Sequence, residues 1–152
     1  MNRTHVAWHD ARTHPDTALA RHATSLLGAG VIASGRLCPE CGSDRHGRPW
    51  LRHESRSVHV SLARSGAHLV TAMSGTPVGV DVEVEVIDVL PELVLAPGET
   101  ADLARAWTRK EAVLKARGTG LTTPMVDVVL AHECWEDIEA PEGYVAAVSL
   151  LP

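Results

Sequence analysis

The sequence has no apolar run long enough to cross a membrane. Its longest stretch of small and apolar residues, Ala23 to Ala33, is interrupted by Thr24 and Ser25 and falls short of the ~20 residues a spanning helix needs. No membrane association is expected. The first ten residues, MNRTHVAWHD, lack the apolar core of a secretory signal, so a cytoplasmic location is the expectation. Cysteine is scarce. The three present, Cys38, Cys41 and Cys134, are too few and too odd in number for a disulfide framework, in keeping with a reducing compartment. Lysine is scarcer still: of 14 cations only Lys110 and Lys115 are not Arg, and both fall in one short stretch. Cationic charge as a whole is outweighed. The net charge of −5 excludes a general nucleic-acid binder, which needs a basic surface for the phosphate backbone. There is no GxSxG elbow, Walker loop, GxGxxG or HExxH pattern.

What is present suffices for a folded chain. With 152 residues, 45% hydrophobic and 22% charged, it has room for one domain or for two small halves sharing a core. Charge is segregated along it. Arg36, Arg45, Arg48, Arg52, Arg56 and Arg64 make one segment basic, whereas from Ser65 to Ala104 no Lys or Arg occurs and Asp81, Glu83, Glu85, Asp88, Glu92, Glu99 and Asp102 accumulate.

Apolar spacing predicts a helix over Pro15 to Leu27, stopped by Gly28 and Gly30. Residues 35–57 show no periodicity and read as a long loop with a turn at His46-Gly47-Arg48-Pro49. Strands are expected at Val58–Leu62 and His68–Met73, joined through Arg64-Ser65-Gly66, and again at Val126–Ala131 and Val145–Leu150, with an acidic connection between the last two. The cleanest strand signal is Val78 to Glu85, where valines alternate with Gly79, Asp81, Glu83 and Glu85, placing the three acids on one face. Glu99 to Arg117 contains neither Pro nor Gly and reads as a helix stopped by Gly118, with Thr100 or a neighbour as its cap and Leu103, Trp107 and Leu114 on one stripe. The fold class is α+β. The divide near Gly75 suggests an N-terminal half over 1–75 and a C-terminal half over 76–152.

The acidic strand face has two readings. It is either the solvated side of an amphipathic strand or, joined by a carboxylate from the helix, a set of hard oxygen donors suited to Mg²⁺. Asp and Glu are poor strand formers, which gives the second reading weight. Glu111 and Lys115, one helical turn apart, are a simple stabilising pair, a base beside a phosphate clamp, or both.

Gly79-Val-Asp-Val-Glu83, followed by Trp107-Thr-Arg-Lys-Glu-Ala-Val-Leu-Lys115 and Gly118-Thr-Gly-Leu121, closely resembles the signature pair of the 4'-phosphopantetheinyl transferases. Upstream, Gly47-Arg48-Pro49 is similar to that family's Gly-Lys/Arg-Pro turn, and Val60 to Gly66 occupies the place of its Ser-x-Ser-His-Ser-Gly segment. Basic motifs in the first half and acidic ones in the second resemble the two-half, surfactin-type branch, in shortened form. The resemblance implies a fold of two similar halves, each with a small antiparallel sheet packed on helix. It also implies Mg²⁺-dependent transfer of the phosphopantetheine arm of coenzyme A to a serine of an acyl, polyketide or peptidyl carrier protein, with release of 3',5'-ADP by a monomer. Asp81, Glu83 and Glu111 would hold the metal, Glu111 and Lys115 would be catalytic, and Arg48, Arg64, Ser65, Lys110, Lys115 and Arg21 would contact coenzyme A. Where the family usually has His, this chain has Ala63-Arg64. The alternative is a non-catalytic relative that binds coenzyme A or a carrier. Cys38-Pro-Glu-Cys41 with His46 has the donor types of half a zinc site, but Cys134 and His132 stand apart, so the plainer reading is a loop that positions Arg45 and Arg48.

Overall fold

A computed structural model describes residues 3–100 and 102–152. Met1, Asn2 and Ala101, the last inside the expected 99–117 helix, lie outside the described residues. The chain forms β1 (His5–Asp10), α1 (Pro15–Leu27), β2 (Ile32–Leu37), β3 (Arg48–His53), β4 (Arg56–Ser65), β5 (His68–Ser74), β6 (Val78–Val84), α2 (Pro91–Val94), α3 (Leu103–Arg117), β7 (Trp135–Ile138) and β8 (Tyr144–Leu150). Two antiparallel sheets result, one ordered β1-β5-β4-β3-β2 and one ordered β6-β8-β7. The chain crosses between them at Gly75-Thr76-Pro77.

The expected helix over Pro15–Leu27 and the acidic strand are present, with β6 ending at Val84. Other expectations need correction. The loop expected over residues 35–57 contains the end of β2, all of β3 and the start of β4. The strand expected at Val126–Ala131 is instead a pair of 3-10 turns, Met125–Asp127 and Leu130–His132, and the acidic connection after it contains β7. Asp102 rather than Thr100 caps α3, its carboxylate accepting from Arg105 N–H.

Alternation along β6 decides how the halves meet. Val78, Val80 and Val82 face a core shared with Ala63, Val70 and Ala72 of the five-stranded sheet and with Ala146 and Val148 of β8. The opposite face of β6 is covered by α3. Gly79 permits this, because a Cβ there would collide with the backbone of Ala112 and Ala116. On its other side α3 packs with Val94, Met125 and Val128. Arg109 clamps the helix to β7, donating to both carboxylate oxygens of Asp137 while its guanidinium lies 4.2 Å from the Trp135 ring centroid.

Candidate functional site

The acidic face of β6 is not a solvated surface at its centre. Asp81 is buried, Glu83 is half-buried, and only Glu85, beyond the end of the strand, is exposed. From the facing turn of α3, Lys115 Nζ donates to Asp81 Oδ1 at 2.6 Å and to the carbonyl of Val80 at 3.2 Å. Lys115 thus pairs across to the strand rather than along the helix to Glu111. The second oxygen, Asp81 Oδ2, is buried with no hydrogen-bond partner.

Burial pushes the Asp81 carboxyl up to about 7; Lys115 opposes that rise, while the charges of Glu111 and Glu83 add to it. Burial also raises Glu111, with Lys115 lowering it and Glu83 raising it further. The three carboxylates feel one another, yet among the described residues they do not converge as one set to within 4.8 Å. A hard cation does not need them to, since Mg²⁺ commonly takes one or two carboxylates and completes its shell with water and substrate phosphates. The donor chemistry fits Mg²⁺, and the unpartnered Asp81 Oδ2 is where a buried oxygen lacks a positive or hydrogen-bonding neighbour. Ser65, at the end of β4, donates to Glu83 at 3.1 Å and ties the first half of the chain to this acidic group.

Lys115 also lines a cleft of about 400 Å³ between the two halves. One wall is the C-terminal end of α3 with Gly118 to Gly120; the other includes Arg36, Cys38, Arg48 and Ser61 from β2, β3 and β4 and their connections. Arg48 donates to the Ala116 carbonyl at 3.1 Å, so its cation sits at the negative end of the helix. Gly118 makes the close approach possible, with φ 75 as the left-handed cap and no Cβ to meet the guanidinium. Arg36, to which sequence reasoning gave no separate role, also lines the cleft, and its Nη1 is buried without a partner. The signal for it is the pairing of β2 with β3, which sets Arg36 opposite Pro49 and Leu37 opposite Arg48.

Not every expected coenzyme A contact lies in this cleft. Lys110 is fully buried and donates to Val94 O, Met125 O and Glu99 Oε2, so it cannot meet a ligand and instead holds the core beneath α3. Arg21 projects from exposed positions of α1 along a separate groove with Ile32 and Ser34. Arg64 is exposed and donates to the Thr13 carbonyl, also outside the cleft. Ser65 faces Glu83.

The sequence model of the 4'-phosphopantetheinyl transferase superfamily matches residues 77–146. A 4'-phosphopantetheinyl transferase of Bacillus subtilis is 27% identical over 120 residues, which is 68% of this chain and 53% of that protein. The chain therefore spans about half the length of this curated relative. No helix among the described residues is long and apolar enough to cross a membrane. The two-sheet α+β fold agrees with that match, and the segment carrying Asp81, Glu83, Glu111 and Lys115 is the one similar to the 4'-phosphopantetheinyl transferase superfamily.

Proposed function

We propose that this chain is a Mg²⁺-dependent 4'-phosphopantetheinyl transferase that moves the phosphopantetheine arm of coenzyme A to a serine of a carrier protein, releasing 3',5'-ADP. The observation that carries this reading is the double position of Lys115, bonded to Asp81 on one side and lining the Arg36–Arg48 cleft on the other. It joins a carboxylate group suited to a divalent cation to a cleft suited to a polyanion.

In this reading Arg36 and Arg48 grip phosphate oxygens of coenzyme A, for which guanidinium forks are apt donors. Asp81, Glu83 and Glu111 are the residues that would hold Mg²⁺, and the bound ion would supply charge neutralisation on the pyrophosphate. Lys115 stabilises charge on the same oxygens. Glu111, whose raised pKa suits a general base, accepts the carrier serine proton directly or through a water. A bond forms between the serine oxygen and the phosphorus carrying pantetheine, while the bond from that phosphorus to the 3',5'-ADP oxygen breaks. Such transfers depend chiefly on positioning and electrostatic stabilisation, which a preorganised cleft supplies.

Both cleft walls come from one chain, which supports a monomeric, two-half unit divided near residue 75; a cytoplasmic location is part of the same reading. The test is to mix the protein, Mg²⁺ and coenzyme A with a panel of apo carrier proteins and weigh the carriers. Modification that stops when Mg²⁺ is chelated supports the reading. Coenzyme A binding with no carrier modified favours the non-catalytic alternative.

A further inference from the structure

We propose that Cys38, Cys41 and His46 form a zinc-binding site that fixes the connection between β2 and β3 at the wall of the cleft. One ligand atom from each of the three residues lies within 4.8 Å of the others. Cys41 Sγ is 3.4 Å from His46 Nε2, close to the edge of roughly 3.5 Å in a tetrahedron with Zn–S of ~2.3 Å and Zn–N of ~2.0–2.1 Å. All three cysteines are free, so no disulfide competes for these sulfurs.

The backbone is shaped for this convergence. Gly42 N–H donates to the Cys38 carbonyl at 2.9 Å, and Cys38 N–H donates to the Ser43 carbonyl at 2.9 Å, closing the Cys38–Ser43 segment on itself. Gly42, at φ 69, supplies the left-handed residue that reverses the chain. Two thiolates and an imidazole select zinc over the hard cation expected at Asp81. Three protein donors leave a tetrahedral ion one more position, and Cys41 and His46 are exposed, so solvent can fill it. Cys134 and His132 are not needed. Folding back of the chain between Cys41 and His46 brings the third donor onto the two sulfurs.

The site's position gives it a consequence. Cys38, Pro39 and Glu40 line the cleft from the start of the connection, and Gly47 and Arg48 line it from the end. Gly47, at φ 101, lies so close to the backbone of Leu37 and Cys38 that a Cβ would collide with it. An ion on Cys38, Cys41 and His46 closes the loop between these points and holds Arg48 beside Arg36. That effect on coenzyme A rests on the function proposed above, whereas zinc binding does not.

The experiment uses tag-free protein purified under reductant, with metal content read by mass spectrometry and zinc affinity by competition with a chromogenic chelator. The parent should retain zinc. Cys41→Ser and His46→Ala should each lower zinc affinity by more than about tenfold, since even outer-shell partners of a ligand are worth that much. Circular dichroism should show both variants folded, and a zinc chelator should lower the parent's Tm but not theirs. Equal zinc affinity in the parent and in a folded Cys38→Ser/Cys41→Ser/His46→Ala variant overturns the site. Coenzyme A titrated into zinc-loaded and zinc-stripped parent should bind the stripped form more weakly; equal affinity overturns the positioning role. Zinc binding with no coenzyme A binding in either form upholds the metal site and contradicts the transferase reading instead.

Discussion

Lys115 and Asp81 meet where α3 crosses β6, with Nζ 2.6 Å from Oδ1, while Asp81 Oδ2 is buried and unpartnered. One carboxylate thus has one oxygen neutralised from within the protein and one left unpartnered, the oxygen that the proposed function assigns to Mg²⁺. Asp81→Asn preserves the shape and removes the second function. Transfer activity should fall at least about 100-fold in this variant and in Glu111→Gln, the scale on which preorganised electrostatic contacts are lost. Circular dichroism and Tm should stay close to the parent. A variant that transfers at the parental rate would remove its carboxylate from the site.

Lys115→Gln separates catalysis from stability. Lys115 pairs with the buried Asp81 carboxylate and not with Glu111, so a purely structural role predicts a lowered Tm and an unaltered kcat in the folded protein. A role on the substrate phosphates predicts a kcat loss far exceeding the change in stability. Parallel measurement of kcat and Tm distinguishes them.

Arg36→Ala and Arg48→Ala should each weaken coenzyme A binding by about tenfold or more, because a hydrogen bond to a charged group contributes roughly 1.5–3 kcal/mol. Arg64→Ala should bind as the parent does, since Arg64 reaches the Thr13 carbonyl and not the cleft. Calorimetric titration reads all three. A large loss confined to Arg64→Ala would place the phosphates elsewhere.

Lys110→Met should act on stability alone. Lys110 lies 2.5 Å from Glu99 in the interior, and removing one member of such a pair costs roughly 3–5 kcal/mol, enough to lower Tm by about 10 °C or more. Adding Glu99→Gln should recover part of the loss. Burial alone would raise the Glu99 carboxyl, but hydrogen bonds from Lys110 and from the N–H groups of Leu130 and Ala96 outweigh it and hold the group below its ordinary 4.5. Glu99 therefore contributes stability fully above pH 4.5 and loses it as pH falls through the lower folded value. Denaturation below pH 4.5 should be less pH-dependent in Glu99→Gln than in the parent, and equal slopes would contradict the assignment.

These contacts also explain what could be read from the sequence. α1 and β6 were legible because each carries its own apolar period and a clear stop. β3 was not. Its Pro49 and two arginines read as loop, and Pro49 is tolerated because pairing with β4 begins only at Leu51. Nor was β7, an edge strand with Glu136 and Asp137 in its middle. Val126–Ala131 has strand composition but forms turns. Its neighbourhood satisfies backbone groups with side chains, Lys110 donating to Met125 O and Glu99 accepting from Leu130 N–H, where a sheet would have used another strand. At the candidate site, residue types, spacing and the family resemblance pointed to Asp81, Glu83, Glu111 and Lys115. They did not show that α3 buries Lys110 on one side and brings Lys115 to Asp81 on the other. Arg36 becomes visible only when β2 pairs with β3.

The most direct measurement is the mass of an apo carrier protein after incubation with coenzyme A, Mg²⁺ and either the parent or Asp81→Asn. The parent should add one phosphopantetheine to a single serine, and folded Asp81→Asn that still binds coenzyme A should leave the carrier almost unmodified. Equal modification by both proteins, or none by a parent that binds coenzyme A, would contradict a transferase centred on Asp81 and Lys115.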